Sequence, residues 1–271
     1  MNHRAVITGD RVLAPPAGAA SPQHTPRLAS FLVRGPSLGR LLVHHQPSRR
    51  PFLRQVGTIS QRFDFIGIDA ALERLGRHPP ANVRRPFTVL NFDDGRREFL
   101  DVMDDLVALD VPACLYIVTD WLDRPGYLRT SELSLVSATF DIGSHTVAHA
   151  RLADLDEDRL THALQDSKHR LEDLIGKPVV HLAAPFGGPG SFGAAAVHRA
   201  ASVGYTSFRT TFRGWNAPDG PGLAGMRILR ADVLEDTYRW LRLRATLEGL
   251  VDWRVGRRLG VALTSWQGKP G

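Results

Sequence analysis

Residues 87–95 read FTVLNFDDG, and this stretch decides how the chain folds. Its first six residues are mainly apolar, aromatic or β-branched, a composition that predicts a buried strand. The run ends on two adjacent aspartates, Asp93 and Asp94, and Gly95 then permits an abrupt turn. Two neighbouring carboxylates repel each other unless something positive lies near them. The stretch therefore predicts a strand whose end meets cationic groups from other parts of the chain.

The composition of the chain is that of an ordinary globular protein. It has 271 residues, of which 43% are hydrophobic and 23% are charged. This length permits one domain or two, and α/β barrels of this size commonly form a single domain. The net charge is +6 and the pI is about 10.1, but the basic residues are scattered and form no long run. We therefore expect no nucleic-acid partner.

The single cysteine and the first residues of the chain bear on its compartment. Cys114 lies inside the apolar run ACLYIV, which predicts a buried strand residue, and one cysteine forms no intrachain disulfide. Residues 1–30 contain no apolar stretch typical of a secretory signal, and no segment approaches the length of a membrane span. From these features we expect a cytoplasmic protein.

Three regions are expected along the chain. Residues 1–35 are rich in Pro, Ala and Ser, which favours a flexible tail. Residues 36–237 alternate strand and helix patterns with short connections, an order that predicts a parallel α/β sheet or barrel. Residues 238–271 begin with a predicted basic amphipathic helix over residues 238–260. We expect this helix to cover the barrel, and contact with a membrane surface is the less favoured alternative.

The predicted strands mark where functional groups should collect, because the carboxyl ends of parallel strands share one edge of the sheet. The clearest helix pattern runs from Asp156, a plausible N-cap, to Ile175, before a stop signal at Gly176. The strand candidates are RLLVHH (40–45), FTVLNF (87–92), ACLYIV (113–118), TFDIGS (139–144), VVHLAA (179–184), YTSFRT (205–210) and MRILRADV (226–233).

One connection differs from the others because it has no helical period. Residues 211–225 read TFRGWNAPDGPGLAG. A loop without a crossover helix is expected to stay on the rim where the preceding strand ended. Trp215 and Asn216 on this loop are then candidates to line a sugar site, because an aromatic face packs well on a pyranose ring. The alternative is that Trp215 only pins the loop.

The pattern His-x-x-x-His follows the strand candidate 139–144. His145 and His149 are four residues apart, so on a helical turn both imidazoles would face one cation. Two histidines and one carboxylate are a recurrent catalytic metal set with an open position for water or substrate. Either Asp94 or Asp93 could be the third ligand, and the other aspartate would then be placed to act as a base.

Three motifs in this order resemble those of a known family. NFDDG (91–95), SHTVAH (144–149) and APFGG (184–188) are similar to three motifs of the polysaccharide deacetylases, the NodB-homology carbohydrate esterases of family 4. The intervening segments resemble the family as well, over roughly residues 40–235. The resemblance implies a distorted (β/α) barrel of about seven strands and one divalent metal ion, usually Zn²⁺. It also implies a carbohydrate substrate whose acetamide group is hydrolysed to release acetate.

The resemblance implies a role for each motif residue. Asp93 would be the base, and the metal ligands would be Asp94, His145 and His149. The backbone N–H of Phe186 would help to hold the oxyanion, and a backbone donor survives the change from the family's more frequent tyrosine. Pro185, in the same motif, would lie against the substrate.

The chain departs from the family pattern at two positions. The third motif usually carries an arginine that orients the base, and this position is Ala183 here. Arg227, or alternatively Arg213, follows the connecting loop and would supply that charge.

The second departure concerns the catalytic acid. The chain has no C-terminal Leu-x-His motif, but LLVHHQP (41–47) resembles the Tyr-His pair of a permuted branch of the family. His45 would then be the acid that protonates the leaving amine, with His44 in the tyrosine position.

Two other functions stay open at this point. The same fold and metal could serve a small cytosolic N-acyl substrate, which the missing signal sequence favours. A decayed deacetylase could also bind a glycan without hydrolysing it, which the two departures favour. The complete set of two aspartates and two histidines argues against such decay.

Overall fold

The computed structural model describes residues 6–8, 11–13, 38–76, 85–218, 220–234 and 240–249. Within these ranges the chain forms strands and helices in alternation, with one sheet at the centre. The strands are β1 (Val6–Thr8), β2 (Arg11–Leu13), β3 (Gly39–His44), β4 (Asp64–Phe65), β5 (Phe87–Phe92), β6 (Ala113–Ile117), β7 (Asp141–Ser144), β8 (His181–Ala183), β9 (Ser207–Arg209), β10 (Gly222–Leu223), β11 (Met226–Leu229) and β12 (Ala231–Val233). The helices are α1 (Arg49–Ser60), α2 (Ile68–Arg74), α3 (Leu100–Ala108), α4 (Thr130–Ser137), α5 (Glu157–Ile175), α6 (Ala194–Val203) and α7 (Trp240–Leu247).

The central sheet has the order β10-β11-β9-β8-β7-β6-β5-β3-β12, and β4 adds to β5. Its strands are parallel except for the β10–β11 pair. β11 pairs with β9 and β12 pairs with β3, although only Arg230 separates β11 from β12 in the chain. One continuous stretch therefore contains the second strand at one end of this order and the last strand at the other, so the sheet curls into an open, distorted barrel. The α/β fold predicted from the strand–helix alternation is confirmed.

The side chains of each central strand alternate between two apolar layers, as the two-residue period of a strand requires. On β3, Leu42 packs outward against the helices, whereas Leu41 and Val43 point into the barrel. The inner layer also contains residues of α2, including Ile68 and Ala71. Every β5 side chain is buried, which agrees with a strand covered on both faces.

Helix α5 begins and ends where the sequence predicts. The Asp156 side chain accepts a hydrogen bond of 2.9 Å from the backbone N–H of Arg159, and this satisfies one of the helix's unpaired donors. Gly176 ends the helix with a left-handed φ of 66°, a conformation that costs glycine little.

Both termini of the chain are described only in part. β1 and β2 form an antiparallel pair inside the predicted tail, and the other residues of 1–35 lie outside the described residues. Leu243 and Leu247 on α7 are buried in the outer apolar layer, which is the packing expected of a covering helix. The predicted helix continues to residue 260, but residues 250–271 lie outside the described residues. None of the described helices combines the length and hydropathy that a membrane crossing requires.

The connection from β9 to β11 does not stay on the rim, so this expectation was wrong. β11 runs parallel to β9, and Arg227 on β11 pairs with Ser207, the first residue of β9. The chain must therefore return along the barrel before β11 begins. It does so without an α-helix, and Asn216 forms an antiparallel bridge with Gly39, the first residue of β3.

Candidate active site

Two strand ends bring four titratable side chains together. Asp93 and Asp94 follow β5, and His145 and His149 follow β7. One carboxylate oxygen of Asp94, Oδ1, lies 3.7 Å from His145 Nε2 and 3.6 Å from His149 Nε2. The ligand atoms of Asp94, His145 and His149 all lie within 4.8 Å of one another. The parallel sheet thus assembles the predicted two-histidine, one-carboxylate set.

The backbone around this cluster adopts left-handed conformations that side-chain-bearing residues usually avoid. Asp94, Thr146, His149 and Phe186 have φ values of 70°, 69°, 57° and 63°. Such strain costs energy and tends to concentrate at functional sites. The two histidines do not share a helical turn as predicted, because bends with positive φ replace the helix. A loop with positive φ angles, and not a helical turn, brings the imidazoles of His145 and His149 together.

Hydrogen bonds from the neighbouring strand hold the histidine loop in place. The backbone N–H of His145 donates to Ile117 O at 2.8 Å, and that of Asp120 donates to Val147 O at 2.9 Å. The His145 ring is fixed by a 2.8 Å bond between Nδ1 and the backbone oxygen of Ala183. Because a carbonyl oxygen only accepts, Nδ1 carries the proton and Nε2 keeps its lone pair.

The donor set of the cluster fits a divalent metal ion. Asp94 Oδ1 is buried and has no hydrogen-bond partner within the described part of the chain, although it faces two imidazole nitrogens. A buried carboxylate oxygen without a partner is costly, so this atom calls for a cation or an ordered donor. One carboxylate and two imidazoles match the ligands that zinc takes in catalytic sites.

The remaining carboxylate, Asp93, is held by a buried arginine. Arg209 Nη2 lies 2.7 Å from Asp93 Oδ1 and 2.5 Å from Oδ2, and both side chains are almost fully buried. Asp93 Oδ2 also lies 3.9 Å from His145 Nε2. The backbone N–H of Asp93 donates to His44 O at 3.0 Å, which ties the aspartate to the end of β3.

The electrostatic environment shifts the pKa values of Asp93 and Asp94 in opposite directions. Burial alone would raise the pKa of Asp93. The nearby charge of Arg209 opposes this effect most strongly, followed by the charges of His145 and His45 and the hydrogen bonds from Arg209. Together these interactions leave the pKa of Asp93 below its usual value. For Asp94, burial and the adjacent Asp93 charge raise the pKa. Asp93 is therefore the aspartate whose ionised form the protein favours.

Burial also controls the two histidines. It lowers the pKa of His145 to about 4 and lowers that of His149 as well. Both imidazoles are therefore neutral near pH 7 in the metal-free site. The neutral form is the one that binds a metal ion.

Comparison with known proteins gives a consistent result. Residues 81–208 match the family model for polysaccharide deacetylase. This segment is a polysaccharide deacetylase domain by that match. Proteins of the polysaccharide deacetylase family act on carbohydrate substrates. The deacetylase domain indicates that this protein is a hydrolase of amide bonds. A search of the curated proteins found no match.

Solved structures share the fold of this deacetylase. Streptococcus pyogenes deacetylase PplD, solved in complex with acetate, has a TM-score of 0.66 at 19% identity, over 78% of this chain and 98% of its own. The polysaccharide deacetylase BC0361 of Bacillus cereus has a TM-score of 0.64 at 22% identity, over 78% of this chain and 69% of its own. IcaB from Ammonifex degensii has a TM-score of 0.60 at 17% identity, over 78% of this chain and 97% of its own.

The structure corrects the identity of the arginine beside Asp93. Arg227 Nη1 donates to Pro218 O at 2.9 Å, and Nη2 donates to Ala217 O. Arg227 lies level with the start of β9, whereas Arg209 is the last residue of that strand and reaches Asp93. Sequence reasoning identified the strand YTSFRT but gave its arginine no role. The signal was an arginine at the carboxyl end of a predicted strand.

The third motif presents an aromatic ring beside the candidate site. Phe186 is 50% exposed, and its ring centroid lies 4.8 Å from that of His149. Its backbone oxygen accepts a 2.8 Å bond from Thr211 Oγ1, while its N–H donates to no residue in the described part of the chain. Pro185 is buried, so Phe186 is the part of this motif that a substrate would meet.

The two histidines at the end of β3 have different surroundings. His45 is half-buried and directly follows His44, whose backbone oxygen accepts the 3.0 Å bond from Asp93, so His45 lies close to the two aspartates. His44 is buried, and its ring lies 5.0 Å from Phe52 and 5.7 Å from Phe92. His44 therefore belongs to the core.

Trp215 and Asn216 lie at the opposite end of the barrel, so the prediction that they line the sugar site was wrong. The Trp215 ring stacks on Phe63 at 5.9 Å, and the Arg40 guanidinium lies 4.7 Å from its centroid. Asn216 is buried and bonds the backbone of Arg230 at 2.9 Å on both its amide atoms. Both residues pin the connection from β9 to β11, which was the alternative for Trp215.

Proposed function

We propose that this protein is a metal-dependent N-deacetylase that hydrolyses the acetamide of an N-acetylated sugar or glycan and releases acetate. One observation carries the proposal. The partnerless Oδ1 of Asp94 faces the Nε2 atoms of His145 and His149, and the ionised Asp93 lies beside them. Two histidines, one ligand carboxylate and one further carboxylate are the groups that metal-assisted amide hydrolysis needs.

Asp94, His145 and His149 would hold one divalent ion, which we propose is Zn²⁺. When bound, the ion would supply positive charge that polarises the acetamide carbonyl and lowers the pKa of a water molecule. The hydrogen bond from His145 Nδ1 to Ala183 O supports this assignment, because it directs Nε2 towards the ion.

The protein's own residues would move the protons. Asp93 would take a proton from the attacking water, while Arg209 keeps the carboxylate oriented. The backbone N–H of Phe186 would donate to the oxygen of the former carbonyl. His45 would donate a proton to the amide nitrogen as the carbon–nitrogen bond breaks, so the products are acetate and a free amine. The His44–His45 pair would take the place of the Tyr-His pair of the permuted branch.

Metal analysis together with an acetate assay tests the proposal. The protein is purified without added metal, its metals are measured by elemental analysis, and acetate release from N-acetylglucosamine oligomers is followed with and without zinc. We expect about one ion per chain and zinc-dependent release. His145→Ala should lose both. His162→Ala is the matched control, because His162 is exposed on α5 and should change neither.

Asp93→Asn separates metal binding from chemistry. The amide keeps the shape of the side chain but is no base, so kcat should fall by about 10²- to 10⁴-fold while the metal content is unchanged. Normal kcat in this variant would exclude Asp93 as the base. Bound metal without acetate release in the wild type would favour a different acyl substrate or a glycan-binding role.

A further inference from the structure

A continuous row of rings crosses the candidate site. The Tyr127 and Trp121 centroids are 5.1 Å apart, those of Trp121 and His149 are 5.1 Å apart, and those of His149 and Phe186 are 4.8 Å apart. We call Tyr127, Trp121, His149 and Phe186 the aromatic row. The proposed metal ligand His149 is part of it, so a saccharide bound at the ion would extend over the neighbouring rings.

A guanidinium group stands at each end of the aromatic row. Arg96 Cζ lies 4.8 Å from the Tyr127 centroid, and Arg151 Cζ lies 4.8 Å from the Phe186 centroid. Arg96 is already neutralised by Glu98, whose Oε1 lies 3.0 Å from its Nη2. Arg151 is exposed and has no carboxylate partner among the residues that the structure describes.

Two further arginines near the site are paired with carboxylates, as Arg96 is. Arg209 is bonded to Asp93, and Arg170 lies 3.3 Å from Asp120. A guanidinium stacked on a ring keeps its N–H donors in the plane of the group, where they match a carboxylate or a phosphate. The contact with Phe186 therefore holds the Arg151 charge without occupying its hydrogen-bond donors.

The backbone that follows Arg151 is anchored to the segment that carries the third motif. Leu152 is buried, and the backbone N–H of Ala153 donates to Ser191 O at 3.1 Å. Ser191 in turn donates through Oγ to Gly188 O at 2.6 Å, and Gly188 belongs to the third motif. The arginine and the ring beneath it thus rest on two connected segments.

We propose that Arg151 and Phe186 form a subsite for a negatively charged group, a carboxylate or a phosphate, next to the N-acetylated sugar. This proposal rests on the proposed deacetylase function and names its substrate class. Two successive 4.8 Å contacts, through Phe186, connect the guanidinium to the His149 ring. The anion is therefore carried by the sugar or linkage adjacent to the reacting acetamide.

The test compares one neutral and two acidic substrates with the zinc-loaded protein. The neutral substrate is an N-acetylglucosamine oligomer. One acidic substrate alternates N-acetylglucosamine with glucuronic acid, and the other is uridine diphosphate N-acetylglucosamine. For each, kcat/KM and equilibrium binding are measured in the wild type and in Arg151→Gln, Arg151→Lys and Arg159→Gln. Arg159 is an exposed arginine on α5 and controls for the loss of one positive charge.

We expect an acidic substrate to be preferred, and Arg151→Gln to reduce the acidic-to-neutral ratio of kcat/KM about tenfold, mainly through KM. Arg151→Lys should keep part of the preference, and Arg159→Gln should keep all of it. If Arg151→Gln lowers kcat/KM for the glucuronic acid oligomer, the group that Arg151 binds is the carboxylate of a glycan. If it lowers kcat/KM for the nucleotide sugar, that group is the diphosphate.

Two results would overturn the proposal. One is an equal ratio in the wild type and in Arg151→Gln while acetate is released, which leaves the deacetylase function intact. The other is tight binding of the acidic substrates that Arg151→Gln does not weaken. Absence of acetate release from every substrate contradicts the proposed function instead, and the binding comparison then still decides whether Arg151 holds an anion.

Discussion

At the scale of single residues, the Asp93–Arg209 pair carries the most consequence. Both side chains are almost fully buried, and the guanidinium contacts both carboxylate oxygens. Removing one partner of a buried pair leaves the other charge uncompensated in a poorly solvated place. The same contact orients the proposed base, so stability and catalysis depend on one interaction.

Arg209→Gln should destabilise the protein by about 3 kcal/mol, because it leaves the buried Asp93 carboxylate without its positive partner. Urea unfolding measures this change. Arg227→Gln is the matched control, since its donors reach loop carbonyls at the other end of the strand, and it should cost less. In an Asp93→Asn background the cost of Arg209→Gln should shrink, and an equal cost in both backgrounds would show that the pair is not coupled.

His44 should make the stability of the fold depend on pH. Burial, followed by the charge of His45, lowers its pKa to about 3. The unfolded chain takes up a proton below about pH 6.5, whereas the folded chain does not until about pH 3. The contribution of neutral His44 to the free energy of unfolding is therefore complete above pH 6.5. It is lost as the pH falls towards 3, by at most about 1.4 kcal/mol per pH unit.

Urea unfolding between pH 7 and pH 4 measures this contribution. His44→Leu removes the titrating group from between Phe52 and Phe92, so its stability should fall less steeply than that of the wild type. His162→Ala, at an exposed position, should follow the wild-type curve. Parallel curves for His44→Leu and the wild type would contradict the prediction.

At the scale of the elements, the packing of strand β7 against β6 near the site depends on Gly143. A Cβ on Gly143 would lie 2.5 Å from the Tyr116 ring of the neighbouring strand β6. The Arg209 guanidinium lies over that same ring, 4.8 Å from its centroid. The missing side chain at Gly143 thus makes room for the ring on which Arg209 rests.

Gly143→Ala should destabilise the protein by about 1–3 kcal/mol, because the added methyl overlaps a buried ring that has little room to move. It should also lower kcat, through displacement of Arg209 and Asp93. Gly57→Ala is the matched control, because no described residue beyond the backbone of helix α1 lies within 4 Å of a Cβ built there, and it should stabilise by up to about 1 kcal/mol. Thermal unfolding and acetate release compare the two, and similar effects at both glycines would disprove the argument.

At the scale of the whole molecule, the proposed metal site joins two distant parts of the chain. Asp94 follows β5 and the two histidines follow β7, so only the folded barrel brings all three ligands together. A zinc ion that binds the folded state alone stabilises it, by about 2.7 kcal/mol at one hundred times Kd.

Calorimetry with and without zinc should therefore show a higher Tm for the wild type when zinc is present, and a chelator should reverse the rise. His145→Ala should show the same Tm in both conditions. An equal rise in that variant would mean that zinc stabilises the protein from another place.

The strands, the long helix and the proximity of Asp94, His145 and His149 were predictable from the sequence because each depends on a local pattern. The apolar runs ending at Phe92 and Ser144 define strand ends, and parallel strands place their carboxyl ends on one edge. The residues Asp94, His145 and His149 were therefore expected near one another before any contact was seen. The caps of α5 are equally local signals.

The tertiary structure alone decided which arginine serves Asp93 and where Trp215 lies. Both depend on register between segments far apart in the chain. The sequence pattern predicts one strand at residues 205–210 and one at 226–233. It does not show that the second divides at Arg230, or that Ser207 pairs with Arg227 and sets Arg209 at the site's end of the barrel. Register is determined by the packing of both apolar layers at once, which no single stretch of sequence contains.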